Sequence, residues 1–124
     1  MSEDSLVRAW HELRDRYAAV SCALERALQD GHGIGVSEYD ALELLHERGK
    51  ESYRAQELVE ALPLSQSAAS RLVARLERQG LVSRGMCEMD RRGIMVCLTD
   101  AGRERFRAAR PTHQRILADT LAAV

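Results

Sequence analysis

Ser65-Gln66-Ser67-Ala68-Ala69-Ser70-Arg71-Leu72-Val73-Ala74-Arg75-Leu76-Glu77-Arg78-Gln79-Gly80 carries two patterns on one helical period. Ala69, Leu72, Val73 and Leu76 stand at i, i+3, i+4 and i+7, an apolar stripe that has to dock on a core. Opposite it stand Gln66, Ser67, Ser70, Arg71, Ala74, Arg75 and Arg78. Small side chains there let a helix sit deep in a groove, and the amide, hydroxyl and guanidinium groups match base edges and phosphates. Ser65 has the chemistry of an N-cap, and Gly80 that of the residue just past a helix end. An ordinary surface helix with a solvated Arg-rich side fits the same letters equally well, so the neighbouring sequence has to decide.

Upstream, Ala55, Leu58, Val59 and Leu62 repeat the stripe and Pro63 stops it, leaving the tight connection Leu62-Pro63-Leu64-Ser65. Two short amphipathic helices joined in this way, the second with a polar cationic face, make a helix-turn-helix. Before them, Ser37 followed by Asp40 resembles a shortened capping box that opens a helix through Tyr39, Leu42, Leu45 and His46 to Gly49. Lys50-Glu51-Ser52-Tyr53 has room for a turn or a single strand rung. Downstream of Gly80 the period changes from 3.6 to 2. Leu81-Val82-Ser83-Arg84 and Ile94-Met95-Val96-Cys97-Leu98 read as strands, with Ile94, Val96 and Leu98 on one face. Between them, Gly85-Met86-Cys87-Glu88-Met89-Asp90-Arg91-Arg92-Gly93 is too long for a two-residue turn and is charged at its tip. A hairpin in this place is a wing. Thr99 or Asp100 then caps a helix through Phe106 and Ala109, which Pro111 is expected to interrupt. Ile116, Leu117 and Leu121 supply a last apolar stripe, placed beside the first helix.

That first helix runs from Leu6 to about Leu28, where Leu6, Trp10, Leu13, Tyr17, Val20, Leu24 and Ala27 alternate spacings of four and three. The result is a heptad-like seam that a small chain can hardly cover by itself, and a second copy is the simplest partner. The alternative is a helix packed only within its own chain. Gly31-His32-Gly33-Ile34-Gly35 ends the pattern.

Composition sets the outer limits. With 124 residues, 45% of them apolar and 30% charged, the chain is long enough for one domain with a real core. Aromatic residues make up only 4%, which argues against the stacking platforms of a single-strand binder. The formal charge of −1 hides an asymmetry: residues 1–53 hold 6 Lys/Arg against 11 Asp/Glu, and residues 54–124 hold 12 against 8. The cationic half contains the helix quoted first. No apolar run is long enough to span a membrane, and the acidic start Met1-Ser2-Glu3-Asp4 is unlike a signal peptide, so a cytoplasmic location is expected. Cys22, Cys87 and Cys97 form no Cys-x-x-Cys pair, which indicates reduced thiols rather than a disulfide framework or zinc knuckle.

The run Leu64-Ser65-Gln66-Ser67, Ser70-Arg71-Leu72-Val73, Arg75-Leu76-Glu77, Gly80-Leu81-Val82 and Arg84, followed by Asp90-Arg91-Arg92-Gly93 and Leu98-Thr99-Asp100-Ala101-Gly102-Arg103, closely resembles the MarR family of bacterial transcriptional regulators. The likeness follows element order over essentially the whole chain and is strongest from Leu58 to Arg103. It implies a mainly α fold with a small β wing, a winged helix-turn-helix homodimer joined through its N- and C-terminal helices. On that plan residues 1–30 and 100–124 are dimerisation helices, and residues 37–99 are the DNA-binding part. The resemblance further implies binding to a palindromic operator in double-stranded DNA, usually as a repressor released by a small lipophilic or phenolic ligand, an oxidant or a metal. Carried onto matching positions, Ser65, Gln66, Ser67, Ser70, Arg71 and Arg75 meet the major groove. Asp90 orients the wing, and Arg92 with Arg91 enters the minor groove. One departure stands out: the segment after Pro111 is shorter than in many relatives.

Two switch sites follow from residue types. Trp10, His11, Arg14 and Tyr17 on the first helix are candidates for an effector site. Cys87, beside Arg91 and Arg92, and Cys97, opposite the apolar strand face and so comparatively exposed, are candidates for oxidation. Inert thiols are the alternative, and Cys22 reads as packing. No catalytic motif is present, the histidines His11, His32, His46 and His113 are scattered, and no Cys/His set has metal-ligand spacing, so neither an enzyme nor a cofactor or metal is indicated. The rival reading is a winged-helix protein-interaction module that does not read DNA.

Overall fold

Helix α1, Glu3–His32, opens the chain; Ser2 caps it by accepting a hydrogen bond from the Ser5 amide at 3.2 Å, and Glu3 and Asp4 favour its positive end. The helix continues through Gly31 and stops where Gly33 takes φ 68°, donating its N–H to the Gln29 carbonyl at 3.1 Å. The computed structural model describes residues 2–47, 52–87 and 90–122. After α1 come α2 (Val36–Glu47), β1 (Ser52–Arg54), α3 (Ala55–Ala61), α4 (Gln66–Arg78), β2 (Val82–Cys87), β3 (Asp90–Leu98) and α5 (Asp100–Thr120). These form two compact units, Met1–Val36 with Arg110–Val124, and Ser37–Ala109.

In the first unit the end of α5 lies antiparallel to α1. His32 Nε2 is hydrogen-bonded to Thr112 Oγ1 at 2.8 Å, and Arg16 donates to the Leu121 carbonyl at 2.7 Å. Ser37 does not open α2. The helix starts one residue earlier, and Val36 donates its N–H to Glu25 Oε2 at 2.8 Å, so α1 supplies the cap from eleven residues away. Gly35 makes that approach possible, since a Cβ there would stand 2.6 Å from Glu25 Oε1. The end expected for this helix at Gly49 lies outside the described residues.

Pro111 does not interrupt α5 either; the helix is continuous through it. Proline removes the bond to the Arg107 carbonyl, and because Arg107 is exposed, water can satisfy that oxygen.

The second unit carries a continuous core of Leu42, Leu45, Leu58, Leu72, Leu76, Leu81 and Val96, each at most 1% exposed. Phe106 joins it, packed on Tyr39 with ring centroids 5.4 Å apart and meeting the edge of His46 at 4.6 Å. The antiparallel sheet has order β1-β3-β2, with Tyr53 opposite Val96 and Val82 opposite Leu98. Both hairpin strands outrun the alternating apolar segments that announced them. Gly85 to Cys87 and Asp90 to Gly93, expected as a long loop, are strand residues, with a register shift between Met86 and Cys87. Ile94, placed by parity with Val96 and Leu98, is half exposed, because it sits farther out along the hairpin than the core extends.

Asp40, on α2, is half-buried rather than capping, and its carboxyl is pushed up from 3.8 to about 6 by burial and, to a lesser extent, by the neighbouring Glu43 charge. The folded state therefore holds this proton more tightly than the unfolded chain. Its stabilising contribution is complete below pH 4 and is lost as the pH rises through 6. Asp40→Asn should stabilise the fold at pH 7 by about 1–2 kcal/mol, after discounting for solvent screening, with no gain below about pH 4. Urea titrations at both pH values check it; equal stability of the two proteins at pH 7 would contradict it.

Candidate nucleic-acid interface

Both ends of α4 are closed by side-chain and backbone chemistry written in the sequence. Ser65 is extended (φ −63°, ψ 157°), and its Oγ accepts from the Ala68 amide at 3.2 Å. At the other end Gly80 adopts φ 76°, its N–H bonds to the Glu77 carbonyl at 3.0 Å, and the Leu81 N–H reaches back to the Leu76 carbonyl at 3.0 Å. Both residues joined by the outer bond of this closure, Leu76 and Leu81, are buried. On the core side Ala69, Leu72, Val73 and Leu76 are all buried. Gln66, Ser67, Ser70, Arg71, Arg75 and Arg78 are exposed on the other side, and Ala74 is half-buried. Helix α3 precedes it through the turn in which the Leu64 N–H bonds to the Leu62 carbonyl at 2.8 Å, with Leu62 buried and Ser65 already extended for its cap. The helix-turn-helix is thus present.

Among the described residues Arg71 and Arg78 have no acidic partner, whereas Arg75 Nε lies 3.9 Å from Oε1 of Glu38 on α2. Nearby, Arg84 of β2 pairs with Glu77 of α4 at 3.4 Å, which ties the hairpin to the helix. A second tie runs through Thr99. Its hydroxyl donates to the Gly80 carbonyl at 2.6 Å and accepts from the Gly102 amide at 3.0 Å, while its own N–H donates to the Leu81 carbonyl at 3.1 Å. The Leu98-Thr99-x-x-Gly102 segment therefore fixes the root of the hairpin and the start of α5 to the end of α4. From the sequence Thr99 is a candidate cap only, and Glu38 is not among the candidate residues.

Asp90, Arg91 and Arg92 are the first residues of β3, with Asp90 registered against Cys87 at the outer end of the hairpin. Their side chains, and that of Cys87, lie outside the described part of the chain. Trp10, His11, Arg14 and Tyr17 are all exposed on α1, and Arg14 touches Asp15 at 3.3 Å. Cys97 is half-buried rather than freely exposed, facing Ser52 and Ser83 across its neighbouring strands. Cys22, expected to be packed, is exposed. Among the described residues no group of three or more His, Cys, Asp or Glu side chains converges as a metal site, and no helix is long and apolar enough to cross a membrane.

The family model for the MarR family matches residues 32–93, half of the chain and the whole of the helix-turn-helix. The chain belongs to the MarR family. Among curated relatives, the uncharacterized HTH-type transcriptional regulator YkoM of Bacillus subtilis is 29% identical over 114 residues, covering 90% of this chain and 73% of its own. The crystal structure of Sco3205, a MarR family regulator from Streptomyces coelicolor in complex with DNA, superposes with a TM-score of 0.88 at 28% identity, over all of this chain and 78% of that one. AbsC, a MarR family regulator of the same organism, gives 0.87 at 30% identity, over 97% and 80%. The fold is accordingly the mainly α winged helix-turn-helix of MarR regulators.

Proposed function

We propose that this MarR-family transcriptional regulator reads double-stranded DNA as a homodimer, setting one α4 helix from each subunit into successive major grooves of a palindromic operator. The observation that carries this reading is the exposed face of α4, where Gln66, Ser67, Ser70, Arg71 and Arg75 stand clear of the core while the opposite stripe is fully buried. Arg71 and Arg75 have the planar fork that matches guanine, and Gln66 the amide that matches adenine. Arg92, with Arg91 and oriented by Asp90, serves the minor groove, where a narrow A·T-rich segment concentrates negative potential. The DNA complex known for Sco3205 supports the same use of the fold.

Dimerisation is supported by α1. Leu6, Trp10, Leu13 and Tyr17, the first four positions of the heptad seam, are 55%, 59%, 63% and 72% exposed in the single chain. Four adjacent large apolar side chains in water are an incomplete interface, and burying each is worth about 1.5–3 kcal/mol. Repression is the expected mode of action. Release from the operator is assigned to a small lipophilic or phenolic effector near Trp10, His11, Arg14 and Tyr17, with oxidation of Cys87 or Cys97 as the other route.

Arg71→Ala should weaken binding to the preferred duplex by about 1–3 kcal/mol and relax base preference, whereas Arg92→Ala should weaken operator binding and lower the salt slope by about one. Fluorescence titrations at several salt concentrations measure both. Unchanged affinity and slope in both variants would overturn the DNA-reading assignment.

A further inference from the structure

On α2, Glu38, Ala41, Leu42 and Leu45 occupy i, i+3, i+4 and i+7, and all four are buried. An acidic residue thus stands on the core-facing stripe. Glu38 is only 8% exposed, and its Oε2 is buried with no hydrogen-bond donor among the described residues. A carboxylate in that position is costly unless a cation or donor is at hand. Its cation is Arg75, on the reading face of α4, whose Nε approaches Oε1 at 3.9 Å, within ion-pair range and beyond a direct hydrogen bond. The guanidinium side chain itself remains 46% exposed.

Building on the DNA-reading role proposed above, we infer that Glu38 is a positioning residue for base recognition: from beneath α4 it holds Arg75 by its Nε edge and leaves the two Nη groups directed outward as the fork that meets a base. The guanidinium is a rigid, planar cation, so an ion pair that draws its Nε side toward Glu38 biases the whole plane and turns the Nη groups away from the carboxylate. A long side chain otherwise spreads over many rotamers, and restricting it before binding reduces the ordering cost on the DNA. Arg71 has no such anchor among the described residues, so the two arginines differ in kind: Arg75 is aimed and Arg71 adapts. The buried carboxylate also places a negative charge behind the reading face, which weakens general attraction to phosphate while sharpening the one contact it aims.

The test uses a duplex selected in vitro from a randomised pool by the unaltered protein, its complete set of single base-pair variants, and a scrambled duplex of equal length. Arg75→Ala should lower discrimination at one base pair of each half-site about tenfold or more. Glu38→Gln keeps shape and removes charge; it should reduce discrimination at that same base pair about threefold or more. Its affinity for the scrambled duplex should hold or rise. In the Arg75→Ala background Glu38→Gln should add nothing. Glu38→Asp, which keeps the charge but shortens its reach, should show the same local loss, and it replaces Glu38→Gln if circular dichroism shows that variant unfolded. Discrimination unchanged at the Arg75 base pair, or a loss spread evenly over all positions, would overturn the role given to Glu38. If the unaltered protein selects no duplex at all, the DNA-reading account falls and this inference with it; selection with Glu38 variants indistinguishable from the parent removes only the inference.

Discussion

Replacing Leu13 by glutamate is expected to turn the protein into a monomer and to lower its affinity for a selected operator by about a hundredfold or more. Leu13 is 63% exposed in the single chain, so a glutamate there leaves α1 free to fold. In a two-fold interface, however, the same change occurs twice, and each carboxylate loses its water to an apolar surface without a partner, a cost of several kcal/mol per group. Loss of the dimer then removes the second reading helix from the same molecule. Two tethered half-site contacts reinforce each other by about 10²–10⁴-fold, so separating them costs that factor without touching any residue that meets DNA. Sedimentation velocity and duplex titration on the same samples read both effects, with circular dichroism to show that the helices remain. A Leu13→Glu protein that stays dimeric and keeps its affinity would remove the α1 interface from the account.

The second large effect is expected at Gly102. A Cβ on this buried residue would run into the Leu81 carbonyl oxygen and come within 2.8 Å of Leu98 Cδ1 and 3.0 Å of the Leu81 carbonyl carbon. Leu98 can turn aside, but the Leu81 carbonyl is backbone already committed to the Thr99 N–H at 3.1 Å. Moving it also disturbs the closure of α4, because the Leu81 N–H is bonded to the Leu76 carbonyl. Gly102→Ala should therefore cost about 3 kcal/mol of folding stability, even though alanine is ordinarily the better helix former. That corresponds to a fall in Tm of roughly 10 °C for a chain of this size. A thermal melt showing Gly102→Ala equal to or more stable than the parent would mean that α5 does not meet the Leu81 backbone as described.

What could be read from the letters, and what could not, follows from the range of the forces involved. Helix α4 was legible throughout: its caps, Ser65 and Gly80, and its stripe are all local, and each stands where the spacing put it. The opening of α2 was not, because its cap comes from Glu25, on another helix, while Ser37 offered a nearer and misleading candidate. Proline at 111 was overweighted for a related reason, since the rule counts the lost hydrogen bond but not the solvent that replaces it at Arg107. The alternating apolar pattern is short because, among the described side chains of the two hairpin strands, Val82, Val96 and Leu98 are the buried ones. Farther out the ladder is held by backbone pairing and needs no alternating apolar pattern, so Gly85 and Gly93 looked like loop. Glu38 left a usable signal that went unread: an acid in register with Ala41, Leu42 and Leu45 on an otherwise apolar face. The apolar seam of Leu6, Trp10, Leu13 and Tyr17 was legible as a face in want of a partner, and its exposure in the single chain agrees with that pattern.

Selection of binding sites from a randomised duplex pool by the intact protein tests the account at its centre. Two α4 helices related by a two-fold axis should enrich an inverted repeat whose half-site centres lie about 10–10.5 base pairs apart, one turn of B-DNA. An enriched sequence with no internal symmetry, half-sites on opposite faces of the duplex, or no enrichment at all would contradict it.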